Sequence, residues 1–213
     1  MSDMAKLLSW GIENSVSSDD PNADNRRTEL DPALLAQLFG VNAKDDSVLM
    51  REALEAIQDP EVTLENKEIA FDNFEMLVEN LDNANNLENL KLWPPLIAQL
   101  SVPEQQLRFM AAWCIGTAVQ NNPKSQAAML KHGGVAKIVD LVLRDPEERV
   151  RTKAVYALSS QIRNEEESLK AAVELLPEEI LERGRHEYRA DDMEAIDELV
   201  KALRERTKKV ISP

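Results

Sequence analysis

Side chains able to do covalent or metal chemistry are few in this chain: two histidines and one cysteine among 213 residues. His132 sits beside two glycines in "KHGG", and His186 lies in the charged run "ERGRHEYR". Neither is on a helix with Cys, Asp or Glu at metal-ligand spacing, so both read as surface or turn residues. Cys114, inside the apolar run "AAWCIG", reads as a small core residue and not a reactive thiol. Carboxylate pairs such as Asp45-Asp46 and the run Glu165 to Glu167 could in principle share acid and base roles, but with 39 acidic residues in the chain solvated faces explain them. No G-x-x-x-x-G-K-[ST] phosphate loop occurs. The chain is therefore expected not to be an enzyme, and no cofactor or metal is expected.

What the sequence offers in place of catalysis is amide chemistry. "FDNFEMLVENLDNANNLENLKLW", residues 71–93, threads six asparagines and five acidic residues between leucines and aromatics. An amide side chain offers two donors and an acceptor without the desolvation cost of a charge, which suits a surface that must meet another protein and release it. Asparagine also suits the end of a helix through bonds to its own backbone, and for Asn80, Asn121 and Asn164 both readings stay open.

The elements that must position these groups are helices. The chain is 43% hydrophobic with only six glycines, and β-branched and aromatic residues never alternate with period two for long, so essentially no sheet is expected. Residues 4–15 can form a short amphipathic helix with Leu7, Leu8, Trp10 and Ile12, followed by a polar stretch from Ser17 to Glu29 around Pro21 that reads as a flexible linker. Asp31-Pro32 starts a helix that Gly40 ends, and a second runs from Ser47 to Gln58 before Asp59-Pro60. These readings divide the chain into an N-terminal segment (1–16), a linker (17–30), capping helices (31–60), repeats (61–190), and a capping helix with a basic tail (191–213).

The repeats align without gaps as "KEIAFDNFEMLVEN" from Lys67, "RFMAAWCIGTAVQN" from Arg108 and "RTKAVYALSSQIRN" from Arg151, at offsets of 41 and 43 residues. Each begins with a base and carries an alanine (Ala70, Ala111, Ala154). Two apolar positions follow at four-residue steps (Phe74, Ile115, Leu158; then Val78, Val119, Ile162), and an asparagine closes each copy. Those spacings set one apolar helix face. A period near 42 belongs to the HEAT and armadillo class, and the middle unit, with its break at "NNP" and its Gly133-Gly134 turn, resembles an armadillo repeat. The expected fold is all-α: an armadillo-like helical repeat solenoid with an N-terminal helical segment and a C-terminal capping helix from Asp191 to Arg206.

In such a stack the third helix of each unit lines the concave side. Asn73, Asn80, Asn83, Asn85 and Asn86 are expected there in the first unit, Trp113, Thr117, Gln120 and Asn121 in the second, and Tyr156, Ser160, Arg163 and Asn164 in the third. The net charge of −14 disfavours nucleic acid and an anionic membrane surface. No stretch approaches the roughly twenty apolar residues of a membrane span. The apolar stretch in "MAKLLSWGIENS" is also too short for a secretory signal.

Residues 71–93 together with "IGTAVQNNPKSQ", "VRTKAVYALS", "KLLSWGIENS" and "DPALLAQLFG" resemble the fungal armadillo-type nucleotide exchange factors of cytosolic heat shock protein 70-type chaperones. The similarity covers about residues 4–164, and "NLDNANNLENLKLW" is specific to that family. The ending, with "ELLPEE" and "DDMEAIDELV", resembles the shorter filamentous-fungal form and lacks the additional repeat of longer yeast relatives. The resemblance implies a cytoplasmic monomer whose stack grips one lobe of the nucleotide-binding domain of cytosolic and ribosome-associated chaperones, so that ADP leaves, ATP enters and client is released. Contact is expected around Asn80, Asn83, Ala84, Asn121 and Arg163, with the methyl of Ala84 projecting outward between amides. Leu7, Leu8, Trp10 and Ile12 are expected to mimic an apolar client and stop released client from rebinding. The alternative is a peptide-binding armadillo scaffold of the nuclear-import type. Such grooves need Trp followed four residues later by Asn, whereas the paired positions here read Asp72/Met76, Trp113/Thr117 and Tyr156/Ser160.

Overall fold

The computed structural model describes residues 44–208. The chain divides into two units, Met1–Asp45 and Asp46–Pro213, and every element below belongs to the second. The expected helix over 4–15, with Leu7, Leu8, Trp10 and Ile12, lies outside the described residues, as do the linker and the helix after Asp31-Pro32.

Among the described residues there are ten α-helices and no strand. α1 (Asp46–Gln58) buries Met50, Leu54 and Ile57 at helical spacing, and Asp59-Pro60 ends it. Thr63 then caps α2 (Leu64–Val78), its hydroxyl accepting from the Asn66 N–H. α3 (Leu81–Asn89) and α4 (Trp93–Ala98) follow, the second opened by prolines in its first turn, where their missing N–H groups cost nothing. α5 (Gln105–Val119), α6 (Pro123–Lys131), α7 (Gly134–Arg144) and α8 (Glu148–Ile162) form the middle of the chain. α9 (Glu166–Leu175) and, after an irregular passage, α10 (Met193–Thr207) complete it.

The repeat register survives into three dimensions. α2, α5 and α8 are each 15 residues long, and they start at Leu64, Gln105 and Glu148, at the same offsets as the sequence alignment. They pack side by side in one row that α10 extends, while α3 and α6 are neighbours in a second row with α9 beyond them. Phe74, Ile115 and Leu158 are fully buried between these rows, as are Val119 and Ile162. Truncating Phe74 to alanine costs roughly 3–5 kcal/mol in transfer and cavity terms. Gly133, at φ 74°, supplies the left-handed turn that lets α7 fold back from α6.

The repeated base has a structural job in two of its three copies. Arg108 donates to the carbonyls of Val102 and Pro103 and to Asp145; Arg151 donates to the carbonyls of Asp145, Pro146 and Thr207. Each guanidinium thus ties the proline-bearing turn ahead of its helix to the following unit, and both side chains are buried. The first copy, Lys67, is only half-buried.

Candidate protein-binding site

The amide-rich stretch is not one helix. α2 ends at Val78, Asn80 starts α3, and Trp93 starts α4. Asn83, Asn85 and Asn86 therefore ride on α3, in the second row, and not on the third helix of a unit as the sequence suggested. The physical cause is Asn80 itself: its carboxamide oxygen accepts from the N–H of Asp82 at 2.9 Å and of Asn83 at 3.4 Å, an N-cap that begins a new helix. Asn83 donates to Asp46 at 2.8 Å and to the Leu77 carbonyl at 3.0 Å, fastening α3 to the start of α1 and the end of α2.

Ala84 requires a correction. Its side chain is 2% exposed, so its methyl points into the core and does not project outward between the amides. α3 is amphipathic, and Ala84 shares its buried face with Leu87. The Ala84 carbonyl accepts from the Ser125 hydroxyl at 3.2 Å.

Asn121 is exposed at φ 51°, two residues past the end of α5, and Asn164 takes the matching place after α8 at φ 56°. Asparagine tolerates this left-handed conformation better than most residues. Asn121 and Asn164 thus stand just past helix C-termini, whereas Asn80 caps the start of the next helix. Arg163 is half-buried and committed to α10, with Nη2 2.5 Å from Asp197, Nη1 3.5 Å from the Met193 sulfur and Nε 3.3 Å from the Ser159 hydroxyl.

The first turn of α6 brings these positions together. Asn122, next to Asn121, caps α6 by accepting from the Ser125 N–H. Ser125 reaches back to Ala84, and Gln126 donates to the carbonyls of Ser160, Gln161 and Arg163, each at 3.0 Å. Gln161 returns a bond to the Gln126 carbonyl at 2.8 Å and donates to Ser168 at 2.6 Å. The last carbonyls of α8, which have no partner within their own helix, are satisfied by a buried amide of the neighbouring one. Asn80, Asn83, Asn121 and Arg163 thus sit along one edge, where α3 and α6 begin and α5 and α8 end.

The row of α2, α5 and α8 presents a second feature. Phe109 and Trp113 meet edge to face at 6.0 Å. The Lys153 ammonium lies 4.1 Å from the centre of the Trp113 ring, and the Arg149 guanidinium lies 4.5 Å from that of Phe109. Thr117 donates to Glu75 at 2.7 Å and Tyr156 to Gln120 at 3.2 Å, tying α2 to α5 and α5 to α8. Gly116 makes room for the Tyr156 ring, since an added Cβ would stand 2.4 Å from its edge. Trp113, Thr117, Gln120 and Tyr156 are on this row as the sequence suggested; Phe109, Arg149 and Lys153 were missed. The i, i+4 spacing of Phe109 with Trp113 and of Arg149 with Lys153 was visible, but the stagger that seats one pair on the other is a property of packing.

Cys114 is buried, and burial pushes its thiol well above the ordinary range, with Glu75 adding to the shift. A thiol held protonated is a poor nucleophile. Among the described residues no group of His, Cys, Asp and Glu could hold a metal ion, and no helix is long and apolar enough to cross a membrane.

Rows of stacked helices repeating every 41 and 43 residues define an armadillo-like helical-repeat protein. Two solved engineered proteins share the fold: one with a TM-score of 0.56 at 14% identity over 97% of this chain and 83% of that chain, another with 0.55 at 15% over 98% and 50%. A family model described as nucleotide exchange factor Fes1 matches residues 4–87, and one for the SIL1/FES1/HPBP1 C-terminal domain matches residues 83–168. The chain is 47% identical to the Hsp70 nucleotide exchange factor FES1 of Gibberella zeae, over 94% of this chain and 95% of the relative. It is 48% identical to the protein of the same name from Coccidioides immitis, over 96% and 98%. The chain belongs to the Fes1 family of nucleotide exchange factors.

Proposed function

We propose that the chain binds the nucleotide-binding domain of a cytosolic Hsp70-type chaperone, ribosome-associated forms included, and accelerates release of ADP without hydrolysing ATP. The observation that carries this reading is identity of 47–48% along nearly the whole length of relatives named Hsp70 nucleotide exchange factors. Such exchange needs no bond-making. A protein that binds the open form of a nucleotide cleft more tightly than the closed form shifts the equilibrium toward opening by its difference in affinity, and by linkage weakens the hold on nucleotide by the same factor. The groups that could supply that affinity are the amide edge at Asn80, Asn83, Asn121 and Arg163 and the aromatic row on α5 and α8. Ala84 contributes by shaping the edge from within. The stack acts as a rigid body because α6 is bonded to both of its neighbours, so contact energy goes into opening the cleft and not into deforming the gripper. The protein acts as a cytoplasmic monomer.

The test is release of a fluorescent ADP analogue from a purified fungal cytosolic Hsp70-type chaperone, with and without this chain. A raised off-rate, with no phosphate released by the chain alone, is expected. An unchanged off-rate at saturating protein would sink the reading.

A further inference from the structure

The charge of the chain makes one cluster stand out. With 39 acidic and 25 basic residues, a cation on this molecule has acids within easy reach, and Arg183, Arg189, Lys131 and Lys170 among others take them. Arg149 and Lys153 do not, since neither makes an ion pair among the described residues. Glu75, whose charge acts on Lys153, accepts from Thr117 and makes no ion pair with that lysine, and Glu148, which lines the same hollow, makes none with either cation.

Both cations rest on aromatic faces instead. Lys153 stands 4.1, 5.1 and 5.3 Å from the ring centres of Trp113, Phe109 and Tyr156, and Arg149 stands 4.5 Å from that of Phe109. Burial lowers the Lys153 pKa, against which Glu75 acts as a weaker opposing charge. The two cations are also four residues apart on α8, a spacing at which like charges repel. The arrangement keeps two like charges together, partly dried and without an ion pair, beside an open hollow of about 620 Å³ lined by Phe109, Glu148, Arg149, Thr152, Lys153 and Tyr156.

A site built this way is prepared for an anion. The rings hold the long side chains in place before any partner arrives, which removes much of the ordering cost of binding. A guanidinium offers a planar fork that fits a carboxylate, and the ammonium beside it adds a point charge. Tryptophan, tyrosine and arginine together are also the composition of interface hot spots.

We propose that Arg149 and Lys153, seated on Phe109, Trp113 and Tyr156, form the contact point at which this chain captures carboxylates on an acidic face of the chaperone's nucleotide-binding domain. This rests on the exchange-factor reading and assigns it an electrostatic anchor in the middle of the α2, α5, α8 row, separate from the amide edge. A folded acidic surface is the occupant because the remainder of this chain, at a net −16 once these two cations are taken from the overall −14, repels acidic surfaces and so favours docking of such a partner at this pair.

The experiment uses the full chain and a purified fungal cytosolic Hsp70-type chaperone. Affinity is measured by titration calorimetry over a range of salt concentrations, and the chain concentration giving half-maximal ADP release is measured alongside. The variants are Lys153→Met with Arg149→Gln, which keep the stems over the rings and remove the charges, and Lys153→Arg, which keeps the charge. The neutral pair is expected to weaken binding by roughly tenfold and to flatten its salt dependence, because rim and half-buried charges act largely through such attraction. Half-maximal release should require proportionately more of it, while Lys153→Arg binds as the wild type does and all three melt together. Equal affinity and equal salt slope for the neutral pair overturn the proposal and leave the exchange function standing. A loss of affinity with unchanged salt slope overturns it too, since packing and not charge would then be responsible. If the wild-type chain neither binds the chaperone nor speeds ADP release, this proposal and the exchange-factor reading both fall.

Discussion

The guanidinium of Arg108 faces the carboxylate of Asp145 across two hydrogen bonds, Nε to Oδ2 at 2.6 Å and Nη2 to Oδ1 at 3.1 Å, with both side chains buried. Removing one partner leaves a desolvated charge, so Arg108→Met is expected to destabilise the stack by about 3–5 kcal/mol. The double change Arg108→Met with Asp145→Leu should recover part of that loss. Recovery stays incomplete, because the carbonyls of Val102 and Pro103 and the Glu147 N–H lose bonds as well. Urea unfolding of the three proteins checks the order of midpoints.

Ala84→Arg is expected to lower stability sharply, because a guanidinium would have to enter a site where the present methyl is 2% exposed. Overpacking alone costs typically 1–3 kcal/mol, and an unpaired buried charge adds to it. Lost exchange activity in this variant should therefore coincide with a lower Tm. A variant that is inactive yet melts as the wild type does would contradict the burial of Ala84.

Gln126→Leu should cost more than its shape change suggests. It leaves the carbonyls of Ser160, Gln161 and Arg163 without their shared donor, and a single unsatisfied buried group costs about 1–3 kcal/mol. Amide hydrogen exchange should rise first in the last turn of α8 and the first turn of α9, where the clasp is anchored. Uniform acceleration across all helices would show that the clasp is not local.

Acid should weaken the link between α3 and α6. Glu88 is held below its ordinary value of 4.5 by its hydrogen bond with Lys131 first, and by the bond with His132 next. A carboxyl whose folded pKa is depressed contributes stability that is present above its unfolded pKa and is lost as pH falls through the folded value. The stability of the wild type should thus decline below pH 4.5 more steeply than that of Glu88→Gln. The effect is small because the pair is solvent-screened. Parallel acid limbs for the two proteins would dismiss it.

Replacing Leu8 and Trp10 by alanine should leave nucleotide exchange intact and slow net release of a bound client peptide. A tethered apolar segment competes at an effective concentration on the order of millimolar, so weak affinity suffices. Equal loss of both activities, or of neither, would refute this division of labour.

Periodicity made the row of α2, α5 and α8 legible, because a helix that buries one face must repeat its apolar positions and a stack must repeat its helices. Asn121 and Asn164 were legible as helix ends for a local reason: few side chains accept a positive φ. The break at Asn80 was local too and stood as an open reading, since leucines on both sides continued an apparent helical pattern through it. The direction of Ala84 was not legible in the same way. A methyl between amides fits either face of α3, and the packing of α6 against α3, with Ser125 bonded to the Ala84 carbonyl from 41 residues away, goes with the buried one. Lys153 belongs to that second kind, as its neighbours come from α5.

Arg108 takes its carboxylate from Asp145, beyond α7, and Arg151 takes the carbonyl of Thr207, at the far end of α10. The covalent repeat and the mechanical repeat are therefore out of phase. A deletion, graft or duplication cut at the starts of the long helices, Gln105 and Glu148, would part each guanidinium from carbonyls that lie ahead of the cut, Val102 and Pro103 for Arg108, Asp145 and Pro146 for Arg151. A transplantable module has to overlap its successor: one that carries Arg108 must run from Val102 through Asp145, and one that carries Arg151 must run from Asp145 through Thr207. Recombination among relatives is then tolerated at crossovers that keep each arginine with its distant acceptor, and rejected at crossovers that merely respect helix boundaries.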